Sequence, residues 1–168
     1  FLTLEPGLKL WQEKLEIKSG LSFFYTADNV NKFDQDEINN ANTLTNIQFS
    51  AKYISNSNDL FKSSFGKVSR APSLFELFGD TGLVVGNQSL KDESTVFGEL
   101  SWERSLDVQT LNLTSEISIT GFIKQSNDLI CYQQVNAGII RPFNIEETLI
   151  SGVETELFFH HSAFDLLL

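Results

Sequence analysis

Glu99 and Glu154 are the two residues whose surroundings suggest chemistry, for each carboxylate is set between small or apolar neighbours: Gly98 and Leu100, Val153 and Thr155. Paired carboxylates can serve as general acid and base, but that work needs a nucleophile, a further base or a metal set, and none accompanies them. His160 and His161 are adjacent, so on a strand they point to opposite faces and cannot ligate one metal together. Cys131 is the single cysteine, which excludes an internal disulfide framework and a cysteine metal cluster. Asn112, Leu113 and Thr114 match a glycosylation sequon but lie inside a strand pattern. No catalytic, metal or cofactor site is expected, and the chain does not read as an enzyme. Without such company the two carboxylates read as ordinary ones bathed in water. Tyr132 and Arg141 are the candidates for a ligand, as an aromatic plane and a guanidinium beside a loop.

The elements that must position these groups alternate with a period of two. Leu15, Ile17, Ser19, Leu21, Phe23 and Tyr25 form one parity of a segment whose other parity is Lys14, Glu16, Lys18, Gly20, Ser22 and Phe24. The pattern recurs at 46–53, 111–124 and 148–159. Over these four segments one parity holds no charged residue, while the other holds Lys14, Glu16, Lys18, Lys52, Glu116, Lys124, Glu154 and Glu156. Glu154, and Glu99 within a strand over 94–104, fall on the charged side. With one strand between them, the two carboxylates are expected on the order of 10 Å apart.

Alternation leaves two architectures open. In a soluble sandwich the uncharged face is the core; in a membrane barrel it faces lipid and the charges line the lumen. Strand length separates them, because 110–130 reads as one strand of about twenty residues, against a mean of about 5 to 6 in soluble proteins. Connection lengths give a second reading. Long ones at 27–43 and 71–93 and a medium one at 133–146 alternate with short ones near 55–59, 105–109 and 160–162, which puts long and short at opposite ends of the sheet, as in outer-membrane barrels. Trp11 and Trp102 fall near the short-turn end, where an interfacial girdle would lie.

Composition agrees. The chain has 168 residues, 15 of them phenylalanine, with a mean hydropathy of −0.09 and no apolar run long enough for a spanning helix. Twelve basic residues against 22 acidic ones, a net charge of −10, leave no counterion-release term for nucleic acid to exploit. The long connections are acidic, as solvated surface loops are.

Residues 69–93, SRAPSLFELFGDTGLVVGNQSLKDE, carry the most specific pattern. Arg70, Ala71, Pro72, Ser73, Glu76 and Leu77, followed by Gly86, Asn87, Leu90, Lys91 and Glu93, resemble the R-A-P-S-x-x-E-L and G-N-x-x-L-K-P-E motifs of TonB-dependent outer-membrane receptors. Asp92 stands where that family usually has proline. Downstream, Phe122 to Ile130 with Asp128 in its D-L-I tripeptide, then Arg141 to Asn144, then Ile150 to Glu154 with Gly152, are similar to the family's later motifs in the family's order.

The resemblance implies an all-β fold, an antiparallel transmembrane β-barrel of which residues 1–168 would be a partial domain of about seven or eight strands from the C-terminal part. The plug domain, TonB box and signal peptide would lie outside a chain that begins at Phe1 and contains no methionine. It implies TonB-energised uptake of a scarce nutrient, a ferric siderophore or other metal chelate first, in the bacterial outer membrane. The partners would be the lipid bilayer, the TonB complex acting through the plug, and the small-molecule ligand. In the family, carboxylates at the places of Glu99 and Glu154 accept hydrogen bonds from plug arginines. The alternatives are a passive porin or adhesin barrel and a soluble β-sandwich binding module.

Overall fold

A computed structural model describes residues 2–32, 35–80, 82–108, 113–161 and 164–167. They form one antiparallel sheet in which β3 (Leu15–Lys32), β4 (Gln35–Ile54), β5 (Asp59–Arg70), β6 (Glu93–Val108), β7 (Leu113–Asn136), β8 (Ile139–His161) and β9 (Phe164–Leu167) pair in chain order. β1 (Leu2–Leu4) and β2 (Gly7–Leu10) lie end to end along the other side of β3, so the sheet is eight strands wide. β1 and β9 do not pair with each other among the described residues: this is an incomplete barrel segment. The short helix α1 (Leu74–Phe78) interrupts the β5–β6 connection. No described helix is long and apolar enough to cross a membrane.

The ladder register joins the separate alternations into two continuous faces. One row runs Glu16, Lys52, Lys62, Ser101, Thr120, Glu154 across β3 to β8, and the next runs Lys18, Ser50, Ser64, Glu99, Phe122, Gly152. On the opposite face Leu15, Tyr53, Phe61, Trp102, Ile119 and Thr155 align, and beside them Ile17, Ala51, Ser63, Leu100, Gly121 and Val153. A slip of one residue in any pair would mix the faces, so the pattern itself fixes the register.

No second layer of described residues covers the uncharged face. Val153 is 72% exposed, Leu100 64% and Phe65 58%, and the buried apolar residues are Leu77, Val84, Ile130 and Pro142, all within or beside the loop at the other end of β5. A sandwich of this size would bury such residues between two sheets. The described residues are therefore not packed as a sandwich, and the uncharged face is left open. Along β3 the ten residue steps from Leu15 to Tyr25 rise about 34 Å, about 25 Å once tilted as barrel strands are.

Two sequence expectations about connections need correction. The long acidic connection at 27–43 is a β-hairpin, paired from Ala27↔Ala41 through Lys32↔Gln35. The medium one at 133–146 is likewise strand, with Asn136 opposite Ile139 and Gly138 at a φ of 79° in a two-residue turn. Polar side chains suggested loop, but ladder bonds run between backbones and need no apolar face when the strand projects into water. The long connection at 71–93 holds, running from the end of β5 through α1 to the start of β6. The short turn at 55–58 holds, with the Asn56 Oδ1 accepting from the Asn58 and Asp59 N–H groups at 2.8 Å each. The other two short turns and Asn112 run into residues outside those described.

Candidate functional site

The sheet positions two groups of residues: a folded loop pinned over its outer end, and the charged face below. The loop begins where β5 ends. Arg70 closes that strand opposite Glu93, and its guanidinium forks onto Glu76, Nη1 to Oε2 at 2.8 Å and Nη2 to Oε1 at 3.2 Å, while also donating to Glu93. Pro72 precedes the N-cap Ser73, whose Oγ accepts from the Glu76 N–H at 3.2 Å while its own N–H donates back to the Glu76 carboxylate at 2.7 Å. This reciprocal capping box starts α1 and satisfies donors a helix end would otherwise orphan.

The returning half of the loop is tied to distant strands. The Asn87 N–H donates to the Glu76 carbonyl at 2.9 Å, and its side-chain Nδ2 reaches the Pro142 carbonyl on β8 at 2.9 Å. Asn144 then bridges two elements, accepting from the Lys91 N–H at 2.9 Å and donating to the carbonyls of Lys91 at 3.1 Å and Asp128 at 2.6 Å. Lys91 also approaches the Asp128 carboxylate at 3.4 Å. Asp128 has a φ of 53°, a left-handed position that lets β7 depart from its pleat there. Between these ties, the Ile140 N–H and carbonyl bond Leu83 and Val85, so a short parallel bridge lays the loop along the side of β8 that faces away from β7.

Gly86 is required by close approach. A Cβ there would lie 2.5 Å from the Leu77 carbonyl oxygen and against the Phe78 backbone, which belongs to the capped helix and cannot give way. Gly86→Ala is expected to break the Asn87 to Glu76 tie and to cost about 1–3 kcal/mol of loop stability. Faster proteolysis within 79–90, with the barrel otherwise intact, is the readout; unchanged cleavage would show that the loop accommodates the methyl.

Sequence reasoning missed Asp80. Its Oδ1 accepts from the N–H groups of Gly82, Leu83 and Val84 at 2.8 to 2.9 Å, a turn that an Asp two residues before a Gly can signal. Those donors hold the Asp80 carboxyl below its ordinary range. For Glu76, burial pushes the carboxyl up, but the Arg70 fork and the Ser73 donors outweigh it and the net shift is downward. Lowered carboxyls bind fewer protons folded than unfolded. Their contribution is therefore complete above the ordinary carboxylate pKa of about 4 and is lost as pH falls through the lowered values. A spin label at Gln88, on a Cys131→Ser background, is expected to stay immobile at neutral pH and to become mobile below about pH 4. A spectrum constant down to pH 2 would contradict this account of the loop.

On the charged face, Glu99 and Glu154 share a side of the sheet as expected. Glu99 aligns with Phe122 and Gly152, two residues from Glu154 on β8, which puts the carboxylates about 12 Å apart. They differ in company. Glu99 accepts from the Ser64 Oγ at 3.3 Å and lies 3.5 Å from the Lys124 Nζ, whereas Glu154 is exposed with no ion pair to a described residue. Gly152 makes room for the Phe122 ring, which a Cβ would meet at 2.9 Å. Leu90 is half-buried in the loop. Arg141 is exposed on β8 opposite Gln133, without an ion pair among the described residues. Tyr132 is 45% exposed and close to the loop's ion cluster: burial first, then the Glu76 charge, raises its phenol, and Arg70 opposes.

With this arrangement in view, one family model, described as TonB dependent receptor-like, beta-barrel, matches residues 2–167. The chain belongs to that family. No curated protein matches it in sequence. Among solved structures it is similar to a double mutant of the Serratia marcescens hemophore receptor HasR in complex with its hemophore HasA and heme, at 13% identity and a TM-score of 0.72, over 98% of this chain and 32% of that one. It is also similar to the copper transporter OprC, at 16% identity and a TM-score of 0.66, over 88% of this chain and 24% of that one. The chain thus spans a third or less of these two proteins, and at such identities the likeness is one of fold. In a TonB-dependent receptor barrel, the motif residues Arg70, Pro72, Glu76, Gly86, Asn87, Glu93, Asp128 and Asn144 take on a physical meaning: they build and anchor one loop.

Proposed function

We propose that residues 1–168 are part of the barrel domain of an outer-membrane receptor that takes up a metal-bearing nutrient, a ferric siderophore or related chelate, with energy from TonB. The observation that carries this reading is a single sheet of very long strands, exposed and uncharged on one face and charged on the other. HasR is a hemophore receptor in complex with heme and OprC a copper transporter, which supports a metal-bearing cargo by analogy of fold. A plug elsewhere in the parent protein would fill the charged side and carry the contact with the TonB complex. Glu154 is the stronger candidate for a plug arginine, because Glu99 already shares its charge with Lys124. Tyr132 and Arg141, at the loop end, are the candidates for cargo contact. Transport rather than catalysis is the activity of such a receptor.

Deletion of the parent gene tests the reading. The deletion strain should lose growth on one ferric siderophore, haem or other metal chelate supplied as sole source, and regain it with the wild-type gene. Equal growth of both strains on every such source would remove uptake as the function.

A further inference from the structure

The uncharged face ends in a boundary that can be located by residue. Tyr53, Phe61 and Trp102 are cross-strand neighbours in one row at the short-turn end, and the Trp102 Nε1 donates to the Asp59 Oδ1 at 3.1 Å. The indole therefore points its polar edge toward the turn end and leaves its ring to the apolar band, the orientation of an interfacial aromatic. Arg104 lies one pair beyond, opposite Asp59 on the same face. On this face of β3 to β8 the described cations are Arg104 at this rim, Lys67 in the Leu21 row and Arg141 at the far end of β8, with none in the rows between Arg104 and Lys67.

Arg104 is not used up by its neighbours. Its Nη1 stands 3.8 Å from the Asp59 Oδ1, beyond hydrogen-bond reach, and it makes no hydrogen bond to a described residue. Asp59 is meanwhile engaged by Trp102 and by the Asn56 Nδ2 at 2.8 Å. The Arg104 side chain is 44% exposed, bracketed on β6 by Trp102 and by Leu106, itself 41% exposed. A guanidinium with free donors, held at the level where hydrocarbon gives way to headgroups, matches a phosphodiester in charge and in fork geometry.

We propose that Arg104, backed by Trp102, binds the phosphate of a phospholipid in the leaflet next to the short turns. This rests on the membrane reading above. Asp59, 3.8 Å away and not hydrogen-bonded to the guanidinium, leaves its donors free and supplies none of the attraction for the phosphate.

Native mass spectrometry of the full receptor, extracted with its lipids in mild detergent, tests the site. Arg104→Gln should reduce retained phospholipid on the order of fivefold, the effect of one cation near an anionic surface. Lys67→Gln should leave that same lipid in place, and Asp59→Asn should retain at least the wild-type amount. Wild-type retention by Arg104→Gln would overturn the proposal, and so would an equal loss in Asp59→Asn, which would reduce Arg104 to a partner of Asp59. Recovery of the full protein from the aqueous phase without detergent would overturn the membrane reading itself, and this site with it.

Discussion

Replacing Arg70 with alanine is expected to free the 71–92 loop from the sheet while the strand ladder stays formed. Glu76 is 6% exposed, and without the guanidinium its carboxylate would remain buried with only the Ser73 donors and the charge of Glu93 nearby. Breaking a fully buried pair by removing one partner costs about 3–5 kcal/mol, and the half-exposed Arg70 side chain discounts this to about 2–3 kcal/mol. The amides of Asn87 and Lys91 report the effect, since their acceptors are the Glu76 carbonyl and the Asn144 side chain. In the full receptor both should lose hydrogen-exchange protection in Arg70→Ala. Arg70→Lys should restore only part of it, because an ammonium cannot fork onto the carboxylate. Arg70→Ala combined with Glu76→Ala should be less damaging than the single change, since no buried charge is left alone. Protection equal to wild type in the single variant would show that backbone ties alone hold the loop.

How much of this was legible beforehand depends on the range of each interaction. The two faces were readable because side-chain parity is local: Leu15 and Lys14 differ by one position, and the register that joins β3 to β8 merely continues what each strand already specifies. Lengths of connections were not readable, since Asp28 and Asn40 pair through backbone groups that every residue carries, and their polarity signals water rather than absence of a ladder. The motif residues could be found one by one, but their roles could not. Lys91 and Asn144 are 53 positions apart, and nothing local in either says that one amide will bridge the other's backbone to Asp128. Gly86 carries no local sign of the Leu77 carbonyl that excludes a side chain from it. Glu99 and Glu154 could be assigned to one face by parity, yet only the register revealed that Lys124 stands beside the first of them.

The membrane reading makes a depth-dependent prediction that the fold alone does not. Val153 projects from the exposed uncharged face, level with Ile17 and Leu100, two residues up the strand from the aromatic row, whereas Leu106 lies beyond Arg104 at the rim. If hydrocarbon covers this face, Val153→Arg must bring a guanidinium into a medium that cannot solvate it, at a cost between the about 0–1 kcal/mol of the interface and the about 2–4 kcal/mol of the midplane. Leu106→Arg, near the interface, should cost about 0–1 kcal/mol. The two variants add the same side chain to the same face of β8 and β6 in one sheet, so propensity and bulk largely cancel in the comparison. Denaturant titration of the full receptor refolding into vesicles measures both. Equal costs at the two positions would mean that depth in a bilayer plays no part, and a large cost for Leu106→Arg with none for Val153→Arg would place the apolar boundary on the wrong side of the Tyr53, Phe61 and Trp102 row. A gradient in the stated direction ties the uncharged parity of the strands to the solvent that selected it, which is the physical reason a face so exposed carries no charge between Arg104 and Lys67.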